Sequence, residues 1–221
     1  MHILITGASG ALGEAVSREF LNGGHTVTGV ARSWSAQTLP INTVDADLTT
    51  AAGCAQAVDA ALRSGPIDAL IHVLGGFAGG SAIPQTSDAV WDQMIGLNLT
   101  AAFYVFRAAL PEMLAANRGR IVAVGSRTGI EPAAGFSAYG VSKAGLVALI
   151  RTLGLELKGT GVTANIVMPS VIDTPANRRA MPKADASRWV KPESIAGVIA
   201  WLASDSSADV NGAVIPVYGA A

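Results

Sequence analysis

Tyr139 and Lys143 stand four residues apart, a spacing that sets two side chains one above the other on the same face of a helix. Thirteen residues ahead of the tyrosine, Ser126 follows the apolar run 121–124, which reads as a buried strand. A phenol, an ammonium and a hydroxyl meeting where a strand hands over to a helix have the chemistry to move a proton onto or off a substrate oxygen. The rest of the chain is then the means of setting a hydride beside that proton.

Apolar strands alternate with amphipathic segments along the whole chain. Residues 2–6 read as a buried strand. After the turn from Gly7 to Gly13, a helix carries Val16, Phe20 and Leu21 on one face, with Glu14, Arg18 and Glu19 off it. Asn22-Gly23-Gly24 stops it. Further strands are expected at about 26–31, shortly after Pro40, and at 69–74, 121–124, 162–168 and 213–217. Helices are expected at about 51–63 and 88–116, through Tyr139 to about 158, and at 192–203. Pro111 is expected to kink or divide the long helix. A short loop bearing Arg178, Arg179 and Lys183 is expected before the last helix. This alternation calls for one α/β domain over residues 1–221, a doubly wound parallel sheet of about seven strands with helices on both faces. Such sheets bind ligands outside the carboxyl ends of their strands. Gly7, Arg32, Asp47, Gly75, Ser126 and Pro169 all fall at those ends.

Half of the 221 residues are hydrophobic and only 14% are charged, which suits a packed core and argues against a disordered chain. A formal net charge of −1 gives no reason to expect nucleic acid or an anionic membrane as partner. Cys54 is the only cysteine, so no intrachain disulfide can form. No basic or apolar leader precedes the first strand. The longest uncharged stretch, 69–87, carries four glycines and Pro84, which is unsuited to a spanning helix. A cytoplasmic protein acting on a small molecule is the expectation.

A glycine-rich turn between an N-terminal strand and a helix suits a pyrophosphate, because the backbone can approach closely and the helix end supplies N–H groups. Gly7, Gly10 and Gly13 are spaced three apart, with Ser9, Ala11 and Leu12 among them. The second strand ends in Ala31-Arg32-Ser33, without the acid that would bind the ribose hydroxyls of NAD. Arg32, helped by Ser33, is suited to a 2′-phosphate. NADP(H) is therefore expected in preference to NAD(H).

Taken in order, Thr6-Gly7-Ala8-Ser9-Gly10-Ala11-Leu12-Gly13, Asp47-Leu48, Asn98, Ser126, Tyr139-Gly140-Val141-Ser142-Lys143 and Pro169-Ser170-Val171-Ile172-Asp173-Thr174 resemble the short-chain dehydrogenase/reductase family over essentially the whole chain. The resemblance implies a Rossmann domain with Tyr139 as acid/base. It implies that Lys143 lowers the tyrosine's pKa and holds the nicotinamide ribose, and that Ser126 binds the substrate oxygen. Asn98 would help hold a water that relays protons to Lys143. Asp47, Leu48, Gly75, Gly76, Pro169, Ile172 and Thr174 join the glycine turn as expected cofactor contacts.

Three segments depart from the family pattern. Ala11 stands where a glycine is usual, with Gly10 displaced by one. His72-Val73-Leu74-Gly75 replaces Asn-Asn-Ala-Gly, which puts His72 in a strand as a packed histidine. Pro169-Ser170 replaces Pro-Gly. The run from Gly75 to Gly80 and the run from Asp173 to Pro182 look like the quinonoid dihydropteridine reductases, a branch that favours NADH and does not depend on a serine at position 126. Three readings follow: an NADP(H)-dependent oxidoreductase of small carbonyls or alcohols, a reductase of a pterin-like C=N system, or a catalytically idle nucleotide-binding regulator. The substrate cleft is expected among loops near 75–87, 126–139 and 170–192. Apolar excess on the long helix (Phe103, Tyr104, Phe106, Met113) and on the Tyr139 helix (Leu146, Leu149, Ile150, Leu153) points to a homodimer or homotetramer.

Overall fold

The computed structural model describes residues 1–34 and 38–220. Its strands are β1 (His2–Thr6), β2 (Thr26–Ala31), β3 (Asn42–Asp45), β4 (Ala69–His72), β5 (Gly119–Val124), β6 (Val162–Pro169) and β7 (Val214–Val217). They form one sheet in the order β3-β2-β1-β4-β5-β6-β7, and every pairing is parallel. The helices are α1 (Ala11–Asn22), α2 (Ala51–Leu62), α3 (Asp88–Ile95), α4 (Ala101–Ala115), α5 (Ser137–Glu156), α6 (Pro175–Ala180) and α7 (Pro192–Leu202). This is the doubly wound α/β fold that the alternation calls for.

The strands are apolar because both faces are covered, and the two-residue strand period divides their side chains between two cores. Ile3 and Ile5 of β1, Ile71 of β4 and Val122 of β5 face α1 and α7, where Val16, Phe20, Ile195 and Ile199 are fully or nearly fully buried. Leu4, Leu70 and Ile121 point the other way, onto Val58 of α2, Val105 and Phe106 of α4, and Leu146 and Ile150 of α5. Strand order reverses between β1 and β4, so the crevice outside their carboxyl ends is the ligand position this topology creates.

Two local expectations need correction. Pro111 does not divide the long helix: it lies inside α4, on the exposed side, where the carbonyl its missing N–H would have engaged can be hydrated. The irregular turn lies earlier, at the π-helical segment Gly96–Thr100 that joins α3 to α4. The segment carrying Arg178 and Arg179 is also not a loop. Thr174 caps it by accepting from the Asn177 N–H at 3.2 Å, Pro175 suits its first position, and one helical turn, α6, forms. The stretch Asp88–Ala115 is long and apolar enough to cross a membrane by length and composition. Here Ala102, Val105, Phe106 and Ala109 spend that apolarity on the sheet.

The first turn is the tightest join in the fold. Gly7 adopts φ +69, and Gly13 packs so closely beneath it that an added Cβ would come within 2.2 Å of the Gly7 carbonyl oxygen and 2.7 Å of Ala8 Cα. Gly13→Ala is therefore expected to lift α1 off the turn and lower stability by about 1–3 kcal/mol, read as a lower denaturant midpoint. A wild-type midpoint would contradict this packing.

Candidate active site

Ser126 continues extended from β5 (φ −162, ψ 148), and its Oγ caps the turn Arg127–Gly129 by accepting from the Thr128 N–H at 3.3 Å. The turn lies hard against α5: a Cβ on Gly129 would approach the backbone carbon of Lys143 to 2.9 Å. The Ser126 hydroxyl also acts on the phenol of Tyr139, in the first turn of α5, favouring its charged form. One turn further on, Lys143 is 4% exposed, and its Nζ donates to the Val124 carbonyl at 3.0 Å. The three groups singled out by type and spacing thus meet at the end of β5.

Burial raises the Tyr139 phenol above its ordinary value, and the Ser126 hydroxyl pulls it back. Burial also lowers Lys143, from 10.5 to about 8. His72 lies in β4 as a packed histidine, fully buried, with Nδ1 3.0 Å from Thr6 Oγ1 and its ring edge-on to Phe106. Burial, with a smaller contribution from Lys143, holds it down to about 3, so it is neutral at physiological pH.

Asn98 sits in the π-helical turn and is fully buried. Its Oδ1 accepts from the Gly76 N–H at 2.9 Å. Its Nδ2 donates to the Gly76 carbonyl at 3.1 Å and to Ser142 Oγ at 3.0 Å. Ser142 in turn donates to the Tyr139 carbonyl at 2.7 Å. Asn98 therefore bonds backbone, but the backbone of a distant loop rather than of its own helix. Gly75 runs beside Asn98 Oδ1 and Lys143 Nζ. Ser142 was hidden inside the Tyr-x-x-x-Lys motif, where only its spacing from Tyr139 signalled it. Phe77 was also missed as a site residue: it is 64% exposed, with its ring edge-on to Tyr139 at 5.0 Å.

At the β1–β4 crevice, a cleft of about 170 Å³ gathers Gly7, Ser9, Arg32, Ser33, Asp47 and Leu48. The Asp47 carboxyl is held below its usual range by the Thr49 hydroxyl and N–H, with Arg32 adding attraction. Gly10 is the N-cap of α1 and makes no side-chain cap, which leaves the N-terminal N–H groups of Ala11 and its neighbours available to an anion. With room at Gly10, none at Gly13 and an arginine at the rim, the residues present fit a dinucleotide. Leu12 and Gly13 are buried where α1 packs against the turn. Thr174 and Ala11 border a second cleft with Asp173, Arg178 and Lys191. Ile172 pairs with Val190, and Pro169 ends β6 opposite Val217.

A charged Lys143 is costly in this position, and the sign follows from its lowered pKa. Below pH 8 the ammonium is charged both folded and unfolded, and the burial penalty is present in full. Between about 8 and the unfolded value the unfolded chain holds more protons, so stability rises with pH. Lys143→Met is therefore expected to raise stability at pH 7 by at most about 3 kcal/mol, read as a higher denaturant midpoint, with the gain fading towards pH 10. A destabilised variant at pH 7 would refute this.

A family model described as short chain dehydrogenase matches residues 1–185. The 2,3-dihydro-2,3-dihydroxybenzoate dehydrogenase of Escherichia coli is 31% identical over 228 residues, covering 95% of this chain and 92% of that protein. The 3-oxoacyl-[acyl-carrier-protein] reductase MabA of Mycobacterium tuberculosis is 30% identical over 230 residues, covering 98% and 91%. Among solved structures, a short-chain dehydrogenase/reductase family oxidoreductase from Burkholderia thailandensis is 33% identical with a TM-score of 0.87, covering 99% of this chain and 91% of that one. Levodione reductase superposes with a TM-score of 0.93 at 26% identity, covering 99% and 96%. Sheet order, the strand-end site and the sequence match agree: this chain belongs to the short-chain dehydrogenase/reductase family.

Proposed function

We propose that the protein is an NADP(H)-dependent oxidoreductase that carries hydride between the nicotinamide and a small carbonyl or alcohol, with Tyr139 as acid/base. The observation that carries this reading is the meeting of Ser126 and Tyr139, brought from two elements, beside the buried Lys143 at the end of β5. When bound, NADP(H) supplies or accepts the hydride. The N–H groups at the start of α1 would hold its pyrophosphate, and Arg32 with Ser33 its 2′-phosphate. Asp47 and Leu48 would border its adenosine half. Gly75, Gly76, Pro169, Ile172 and Thr174 would frame the nicotinamide side, with Lys143 on the ribose.

In reduction, Ser126 and Tyr139 would both donate to the carbonyl oxygen, and the phenol would give up its proton as charge develops there. A phenol raised by burial is fully protonated at neutral pH and ready for that role. In oxidation the phenolate must form, and the Lys143 ammonium one turn away would favour it. Asn98 and Ser142 keep the Gly76 loop and the Tyr139 backbone in place, and Asn98 would hold the water that relays protons to Lys143. The names of the two curated relatives, a 3-oxoacyl reductase and a dehydrogenase of a dihydroxy compound, support chemistry between C=O and CH–OH. Phe77 beside Tyr139 favours a second reading, a flat pterin-like ring as substrate. A cytoplasmic location fits either.

Oxidation of NADPH with ethyl acetoacetate and a panel of small ketones tests the proposal. Turnover is expected, with a lower KM for NADPH than for NADH, and Tyr139→Phe should reduce kcat by about 10²–10⁴. Preference for NADH overturns the cofactor assignment. Turnover of quinonoid dihydropterin alone selects the second reading, and no turnover of any substrate leaves an idle nucleotide binder.

Of the residues expected to carry an apolar excess, Phe106, Met113, Leu146, Ile150 and Leu153 are instead buried within the chain; the chain is still proposed to form a homodimer or homotetramer, because Phe103 and Leu114 of α4 and Val141 and Leu155 of α5 are 43–63% exposed. Light scattering should give two or four times the chain mass, and a monomer at micromolar concentration would contradict it.

A further inference from the structure

Tyr218, the residue after β7, is tied to both loops that flank the paired hydroxyls. Its carbonyl accepts a 2.6 Å hydrogen bond from Ser170 Oγ, just past β6. The Arg127 guanidinium lies 5.0 Å over its ring, and Arg127 Nε donates to Glu131 at 2.7 Å. Glu131 lies near enough to the Tyr218 hydroxyl to help raise the phenol above its ordinary value, after burial, and its ring packs against the core on the α5 side. Beyond it, the Ala220 N–H donates to the Arg188 carbonyl at 3.2 Å, and the Ala220 carbonyl accepts from Arg188 Nε and Nη2 at 3.1 Å each. The tail is thus anchored on both sides of Tyr218.

Arg127 opens the turn that follows Ser126. That turn is pinched. On one side Gly129 abuts the backbone of Lys143; on the other, Arg127 lies on the Tyr218 ring. We propose that Tyr218 is a positioning residue: by holding Arg127 and Ser170 it fixes the turn that carries Ser126, and so keeps the serine hydroxyl in its place beside Tyr139. The assignment rests on the reading of Ser126 and Tyr139 as the reacting pair. The elements packed around Tyr139 carry Lys143 on α5, Asp88 and Asp92 on α3, His72 on β4, Arg127 and Glu131 on the turn, and Asp173 after β6. Of these, Arg127 and Glu131 are the two that meet Tyr218.

Ultraviolet phenolate titration reads Tyr139 directly, because the chain has three tyrosines and each variant can be compared with its own Tyr139→Phe partner. Tyr218→Ala is expected to move the Tyr139 titration to higher pH by about half a unit, the size of one weakened hydrogen bond. It should also lower kcat for ethyl acetoacetate about tenfold, with KM for NADPH within about twofold, a split between chemistry and binding. Tyr218→Phe keeps the ring and the carbonyl and should behave as wild type in both measurements. Arg127→Met, which leaves the Tyr218 ring and its Ser170 hydrogen bond in place, should reproduce the titration shift even if Tyr218→Ala fails to fold. An unmoved titration in Arg127→Met, or equal effects of Tyr218→Phe and Tyr218→Ala, overturns the proposal. Since the titration needs no substrate, the two ideas separate: turnover without the shift removes the positioning role, and the shift without turnover removes the oxidoreductase reading alone.

Discussion

One interaction sets the terms for the whole site: the Lys143 ammonium, almost fully enclosed, donating to the carbonyl of Val124. An amine in that position resists its own charge, as the fall to about 8 shows. The fold tolerates it because β5 ends there and leaves a main-chain oxygen free to receive it. Everything that makes the enclosure follows from that requirement. The turn after Ser126 closes one side through Gly129, the Gly75–Gly76 strand exit passes over another, and Asn98 locks that exit in place. The cation is held where the surrounding structure opposes it, and such opposition is a common mark of a functional position.

The neighbouring histidine shows the same economy with the opposite outcome. His72 is as deeply enclosed as Lys143 but has given up its charge altogether, and it spends one ring nitrogen on Thr6 at the tip of β1. Thr6 Oγ1 also accepts from the Leu74 N–H at 3.3 Å. The two central strands are therefore joined by side chains at the level where the glycine turn and the Gly75 exit diverge. A neutral imidazole can do this beside a lysine; a second cation could not without a large electrostatic cost.

Much of this was legible in the sequence because it depends on periodicity and spacing. Apolar strands separated by helical faces dictated a two-sided parallel sheet, and the interval between Tyr139 and Lys143 placed both on one helical face. Arg32, Asp47 and Gly7 could be assigned to a common rim because strand ends of a parallel sheet lie together, and they do line one cleft. What escaped depends on contacts between remote segments. Nothing local to Asn98 says that its amide will clasp Gly76, and nothing local to Tyr218 says that Arg127 will lie on it. Of the two outcomes expected at Pro111, a kink or a division, the helix is not divided there, because a proline's cost depends on whether the orphaned carbonyl is hydrated, which only exposure in the fold decides.

The π-helical turn Gly96–Thr100 explains why the long helix was hard to parse, and it says something about how such a site is assembled. A π turn amounts to one residue more than a regular helix would hold. Each residue advances a helix by about 100°, so the apolar stripes of α3 and α4 are offset from one another by the extra residue, and no single period runs through both. Deleting one residue between 96 and 100 would restore an ordinary helix and leave both flanking stripes facing the core. It would also swing the amide of Asn98 away from Gly76. In this helix, continuity of the scaffold and reach of the side chain are alternatives, and the chain has kept the reach.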